Sequence, residues 1–66
     1  MTTVEYYRFE NEVLMRTTGA NIHDVKNKLN GLKGAVLGKE RHPEKSDFFN
    51  NYIADLQMDI HRTVYN

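Results

Sequence analysis

Val4-Glu5-Tyr6-Tyr7-Arg8-Phe9-Glu10-Asn11-Glu12-Val13-Leu14-Met15-Arg16-Thr17-Thr18 is the stretch on which the fold class turns. Val4 to Phe9 is β-branched and aromatic, which favours a strand. Glu10-Asn11-Glu12 is a polar break, and Val13 to Thr18 reads as the return strand. Residues 3–18 are therefore expected to form a β-hairpin. Its register depends on the turn. A two-residue turn groups Val4, Tyr6, Val13 and Met15 on one face, whereas a three-residue turn groups Tyr7, Phe9, Val13 and Met15. In both registers each face carries apolar side chains. Two strands alone are too few to be stable, so helices must cover at least one face.

Beyond Gly19-Ala20 the pattern becomes helical. Asn21 is a good N-cap, and Asp24 sits in the first turn, where the helix dipole favours it. Ile22, Val25, Leu29, Leu32 and Val36 recur at spacings of three and four, the mark of one apolar stripe. This predicts a first helix over about 21–30. Gly31, Gly34 and Gly38 each cost roughly 1 kcal/mol relative to alanine in a helix. Continuation to 40 therefore competes with a short third strand at 35–37. After a charged connector, Phe49, Ile53, Leu56, Ile60 and Val64 fall on a narrow helical arc flanked by Phe48 and Tyr52. A second helix is expected over about 44–64, started by Pro43 or capped by Ser46. The expected architecture is α+β, an N-terminal β-hairpin followed by two antiparallel helices (ββαα), in one small domain spanning residues 1–66.

The totals bound what such a domain can do. A chain of 66 residues buries only about 60% of its unfolded surface, so its folded state is marginal unless something reinforces it. There is no cysteine, hence no disulfide framework and no thiolate metal site. Tight helix packing, self-association or a larger partner remain as ways to add buried area. The start has no basic region followed by an apolar run, and no apolar stretch approaches the roughly twenty residues of a membrane span. These features lead to the expectation of a cytoplasmic protein with no membrane partner.

Net charge is zero but unevenly spread. Residues 24–45 carry Lys26, Lys28, Lys33, Lys39, Arg41 and Lys45 against Asp24, Glu40 and Glu44. Residues 46–66 carry Asp47, Asp55 and Asp59 against Arg62 alone. A dedicated phosphate-binding protein usually shows a larger positive excess.

Catalytic machinery is not legible. The one serine, Ser46, sits at a helix start, where capping explains it, and no glycine-framed nucleophile elbow surrounds it. Asp55 and Asp59 lie one helical turn apart. Acid–base use would require a cleft that splits their pKa values, so they read as a solvated helix edge facing Lys28 or Lys39. His23, His42 and His61 lack metal-ligand spacing. Gly34-Ala35-Val36-Leu37-Gly38-Lys39 resembles a phosphate loop only superficially, because Glu40 stands where Ser or Thr is needed. No catalytic residue, metal site or cofactor is expected.

The expectation is a non-enzymatic interaction protein that binds and modulates or inhibits another macromolecule. Its short, cysteine-free character fits a phage or mobile-element protein acting on a host protein. The partner is expected to be a protein, with a homo-oligomer as one form of it. The expected contact residues are Tyr6, Tyr7 and Phe9 of the hairpin with Asp55, Met58 and Asp59 of the second helix. The alternative is a nucleic-acid binder that uses Lys26, Lys28, Lys33, Lys39, Arg41 and Lys45.

Overall fold

The computed structural model describes residues 1–65 and contains three helices: α1 (Thr3–Arg16), α2 (Ile22–Arg41) and α3 (Ser46–Tyr65). Single 3₁₀ turns at Gly19–Asn21 and Pro43–Lys45 join them. The chain runs up, down and up again, so α1 and α3 are both antiparallel to α2.

The expected β-hairpin is overturned, because residues 3–16 form one unbroken helix and no strand occurs among the described residues. The local reason lies at its start. Thr2 and Glu5 form a capping box, with the Glu5 amide donating to Thr2 Oγ1 at 3.2 Å and the Thr2 amide to Glu5 Oε1 at 3.1 Å. That pairing satisfies two of the amides a helix start leaves without partners. Glu10 and Glu12, read as a turn, are good helix formers. Tyr6, Phe9 and Val13 also fit a helical spacing of three and four, which places them together against α2 and α3. A helix satisfies its own backbone, whereas a lone hairpin would leave two open edges.

α2 runs straight through Gly31, Gly34 and Gly38, and the third strand weighed at 35–37 is absent: Ala35 and Val36 lie buried in the helix. Tertiary burial overrides the glycine penalty here. Val25, Leu29, Leu32, Ala35 and Val36 of α2 all sit in the core, so five buried side chains offset three glycines. The helix expected at 44–64 spans Ser46–Tyr65. Pro43 occupies the first position of the preceding 3₁₀ turn, where its missing N–H costs nothing.

The core combines Tyr6 and Val13 of α1, the five α2 residues, and Ile53 and Ile60 of α3, with Phe9, Leu14, Phe49, Leu56 and Val64 packed around it. No buried side-chain polar atom lacks a partner among the described residues. None of the three helices is long and apolar enough to cross a membrane.

Candidate interaction surface

No pocket is found among the described residues, and no group of three His, Asp or Glu side chains converges among them. What the chain offers a partner is therefore read from its outer surface.

Two polar anchors fix how the helices present that surface. Between α1 and α2, the Tyr6 hydroxyl has one proton and two acceptors in reach, Glu10 Oε2 at 2.6 Å and the Leu29 carbonyl oxygen at 3.1 Å. Burial, with the Glu10 carboxylate second, pushes its pKa above the usual phenol range. Between α2 and α3, Lys28 Nζ lies 3.1 Å from Asp24 Oδ2 and 3.3 Å from Asp59 Oδ2, and donates to Thr63 Oγ1 at 3.2 Å. The hydrogen bond to Asp24 is the leading reason that the Lys28 pKa is raised. With three partners the ammonium has no donor left over.

The residues expected to contact a partner do not share one surface. Tyr6 is 1% exposed and belongs to the core, and Phe9 is half-buried beside it. Both are drawn inward by the helical spacing of α1, which strand alternation had hidden. Tyr7 remains accessible, with Lys33 Nζ 5.4 Å from its ring centroid in a cation–π arrangement. Asp59 is engaged by Lys28. Asp55, one turn earlier on the same stripe, is exposed and has no ionic partner among the described residues. Met58, one turn on from Asp55, is exposed on the side of α3 away from the core.

The six cations divide as well. Lys26 and Lys33 lie on the side of α2 that borders α1, where Lys33 stands over the Tyr7 ring and Glu40, seven residues further on, shares the same line, whereas Arg41 falls with His23 and Asn30 on the outward side. Lys28 turns towards α3. Lys39 lies on the inner side near Glu5 and contributes, after the Thr2 hydrogen bonds, to holding the Glu5 carboxyl below its usual pKa. Lys45 ends the second 3₁₀ turn.

One continuous face does emerge, made by the outer sides of α2 and α3. Phe48 is 65% and Tyr52 48% exposed, and they stand one turn apart on the α3 stripe that continues through Asp55 and Asp59. Phe48 rests edge-on against Phe49. The Phe49 ring in turn covers Gly38, where a Cβ would come within 2.8 Å of it. At Gly31 a Cβ would touch Leu56 at 3.6 Å and the Tyr52 hydroxyl at 3.9 Å. At Gly34 it would meet nothing within 4 Å, so the α2 backbone lies bare there beside Tyr52. Phe48 and Tyr52 were absent from the expected contact residues. The signal that would have found them is their place on the α3 wheel, at the border of the core stripe rather than within it.

No protein-family model matches the chain, and searches of curated proteins and of solved structures find no similar protein.

Proposed function

We propose that this domain is a non-enzymatic interaction protein that binds and thereby modulates another macromolecule through its α2–α3 face. The observation that carries the reading is the exposed Phe48–Tyr52 pair beside the bare α2 backbone at Gly34. Aromatic side chains concentrate binding energy because they bury much area at little conformational cost. Uncovered aromatics bordered by charge are a usual mark of a docking surface. A photo-crosslinking phenylalanine analogue at position 48, compared with one at Met15, which is 87% exposed on α1, tests it. The reading expects protein adducts from position 48 and few from position 15. No protein adduct at position 48, or equal yields at both, would overturn it.

A second reading, binding of nucleic acid, draws support from the α2 cations Lys26, Lys33 and Arg41, none of which has an ion-pair partner among the described residues. With only Lys26, Lys33 and Arg41 to meet phosphates, affinity should fall about 40-fold between 50 and 200 mM salt by counterion release. Filter binding to a short duplex and a single strand across that range decides it. Absent or salt-insensitive binding removes this reading.

A further inference from the structure

The α2–α3 face sets an exposed, unpaired carboxylate beside two exposed aromatic rings. From this juxtaposition of Asp55 with Phe48 and Tyr52 we propose that its occupant is an amphipathic helix of another protein, carrying an arginine or lysine beside its apolar stripe. This rests on the reading that the face is an interaction surface, and it gives the chemistry of the partner.

The shape of the face selects a helix. No strand edge occurs among the described residues, so a partner has no open backbone to extend as a sheet. Two antiparallel helices of 20 residues each leave a groove between their outer sides, and a third helix is the element that lies along such a groove. Gly34 has no side chain and no neighbour within 4 Å of its Cβ position, which lets a helix approach the α2 backbone closely. Phe48 and Tyr52, both exposed, supply the apolar contact from the α3 side.

The charges select a basic one. Asp24 and Asp59 share the Lys28 ammonium, whose donors are all used. Asp55 has no ionic partner among the described residues. Arg62, the next cation along α3, is seven residues on, about 10 Å of helix rise. Lys26 and Lys33 lie on the α1 side of α2, with Lys33 over the Tyr7 ring. The cation that Asp55 lacks therefore comes from the partner. Asp55 follows Tyr52 by three residues on one side of α3, so a guanidinium can lie on the Tyr52 ring and aim its N–H groups at the carboxylate. Phe48 precedes Asp55 by seven residues. A partner helix that rests an apolar side chain between Phe48 and Gly34 thus carries its cation about two turns away. An acidic helix would bring like charges together at Asp55, which disfavours it.

Two alanine-rich helical peptides of about 18 residues, long enough to be helical alone, test the proposal. Both carry a leucine stripe; two turns from its centre, one carries arginine and the other glutamate. Each is titrated into the full chain while the amide NMR signals of the chain are followed. The arginine peptide is expected to shift the signals of Gly34, Phe48, Tyr52 and Asp55 and to bind about tenfold more tightly than its twin. Asp55→Lys should reverse that preference, and Gly34→Leu should exclude both peptides. Asp47→Lys, at an exposed carboxylate off the stripe, should leave the preference unchanged. Circular dichroism checks that the three variants stay helical. No saturable shift, equal affinity of the twins, a preference that survives Asp55→Lys, binding untouched by Gly34→Leu, or shifts centred on Tyr7 and α1 would overturn the basic helix. Position 48 crosslinked to a second copy of this chain would overturn it as well. The broader reading fails separately, when position 48 crosslinks to no protein; crosslinks to another protein from a chain indifferent to both peptides would sink only the partner's chemistry.

Discussion

α1 and α3 both mix aromatic, aliphatic and charged residues, yet they are held in place differently. α3 lays Ile53 and Ile60 into the core and flanks them with Phe49, Leu56 and Val64 along most of its 20 residues. α1 has 14 residues and likewise buries two side chains fully, Tyr6 and Val13, but flanks them only with Phe9 and Leu14. It makes up the difference with polar ties at both ends. Thr3 Oγ1 donates to Glu40 Oε1 at 2.6 Å, Tyr6 reaches Glu10 and Leu29, and the Arg16 guanidinium sits 5.4 Å from the Tyr65 ring centroid. A long apolar stripe secures a helix mainly by area, with the Lys28 contacts to Asp59 and Thr63 as an addition. A short one needs specific hydrogen bonds, and so depends more on single residues.

The hardest test of that contrast is truncation of the two anchors. Tyr6→Ala should cost about 3–5 kcal/mol and Ile60→Ala about 2–5 kcal/mol, read from urea unfolding followed by circular dichroism. A loss below about 1 kcal/mol at Tyr6 would show α1 to be an appendage rather than a third of the core.

The glycines sharpen the account of α2 against α3. Gly34→Ala should stabilise the dilute protein by about 1 kcal/mol, because helix propensity improves and the methyl group meets nothing. Gly38→Ala gains the same propensity but drives a Cβ to 2.8 Å from the Phe49 ring, so it should yield no net stabilisation, or a loss. Equal effects at both positions would contradict the packing described for Phe49.

The α1 start comes next. Thr2→Ala removes one half of the capping box and should cost about 1 kcal/mol, visible as faster amide exchange over residues 3–6. Comparable exchange in the two proteins would mean that the cap does not hold α1.

The smallest effect lies in alkali. Lys28 and Tyr6 both have raised pKa values in the folded state. The folded protein therefore holds their protons more tightly than the unfolded chain does. The stability they contribute is complete below about pH 10 and is lost as pH rises through the folded-state values. Lys28→Met should flatten that decline, and the pair's own worth is about 0.2–1 kcal/mol for a partly exposed cluster. An unchanged slope between pH 9.5 and 11.5, followed by chemical denaturation, would place the alkaline sensitivity elsewhere.

How far the candidate surface could be read from residues alone varied with the kind of signal. The one-turn spacing of Asp55 and Asp59 was enough to put them on one edge of a helix, facing Lys28 or Lys39; Asp59 meets Lys28, and Asp55 has no ionic partner among the described residues. Tyr6, Tyr7 and Phe9 were another matter. As a strand, 6 opposes 7 and 9, whereas as a helix 6 and 9 turn inward and 7 is left at the border. Their exposure could not be assigned before the period was known. Phe48 and Tyr52 were visible as flanks of the α3 stripe, but what makes them a surface is the absence of anything over Gly34.

The apolar stripes at 22–36 and 49–64 carry a helical period over several turns, and that much is determined by sequence, since repeated spacing leaves one geometry able to bury all of the side chains. Residues 3–16 have no such margin. Their β-branched and aromatic content favours a strand, their glutamates and the Thr2–Glu5 pair favour a helix, and the two local tendencies are of similar size. Tertiary structure decided between them: a helix lets Tyr6 and Val13 reach the groove of α2 and α3 while its own backbone stays hydrogen-bonded. It likewise carried α2 through three glycines, because the burial of Leu32, Ala35 and Val36 outweighs what those glycines cost.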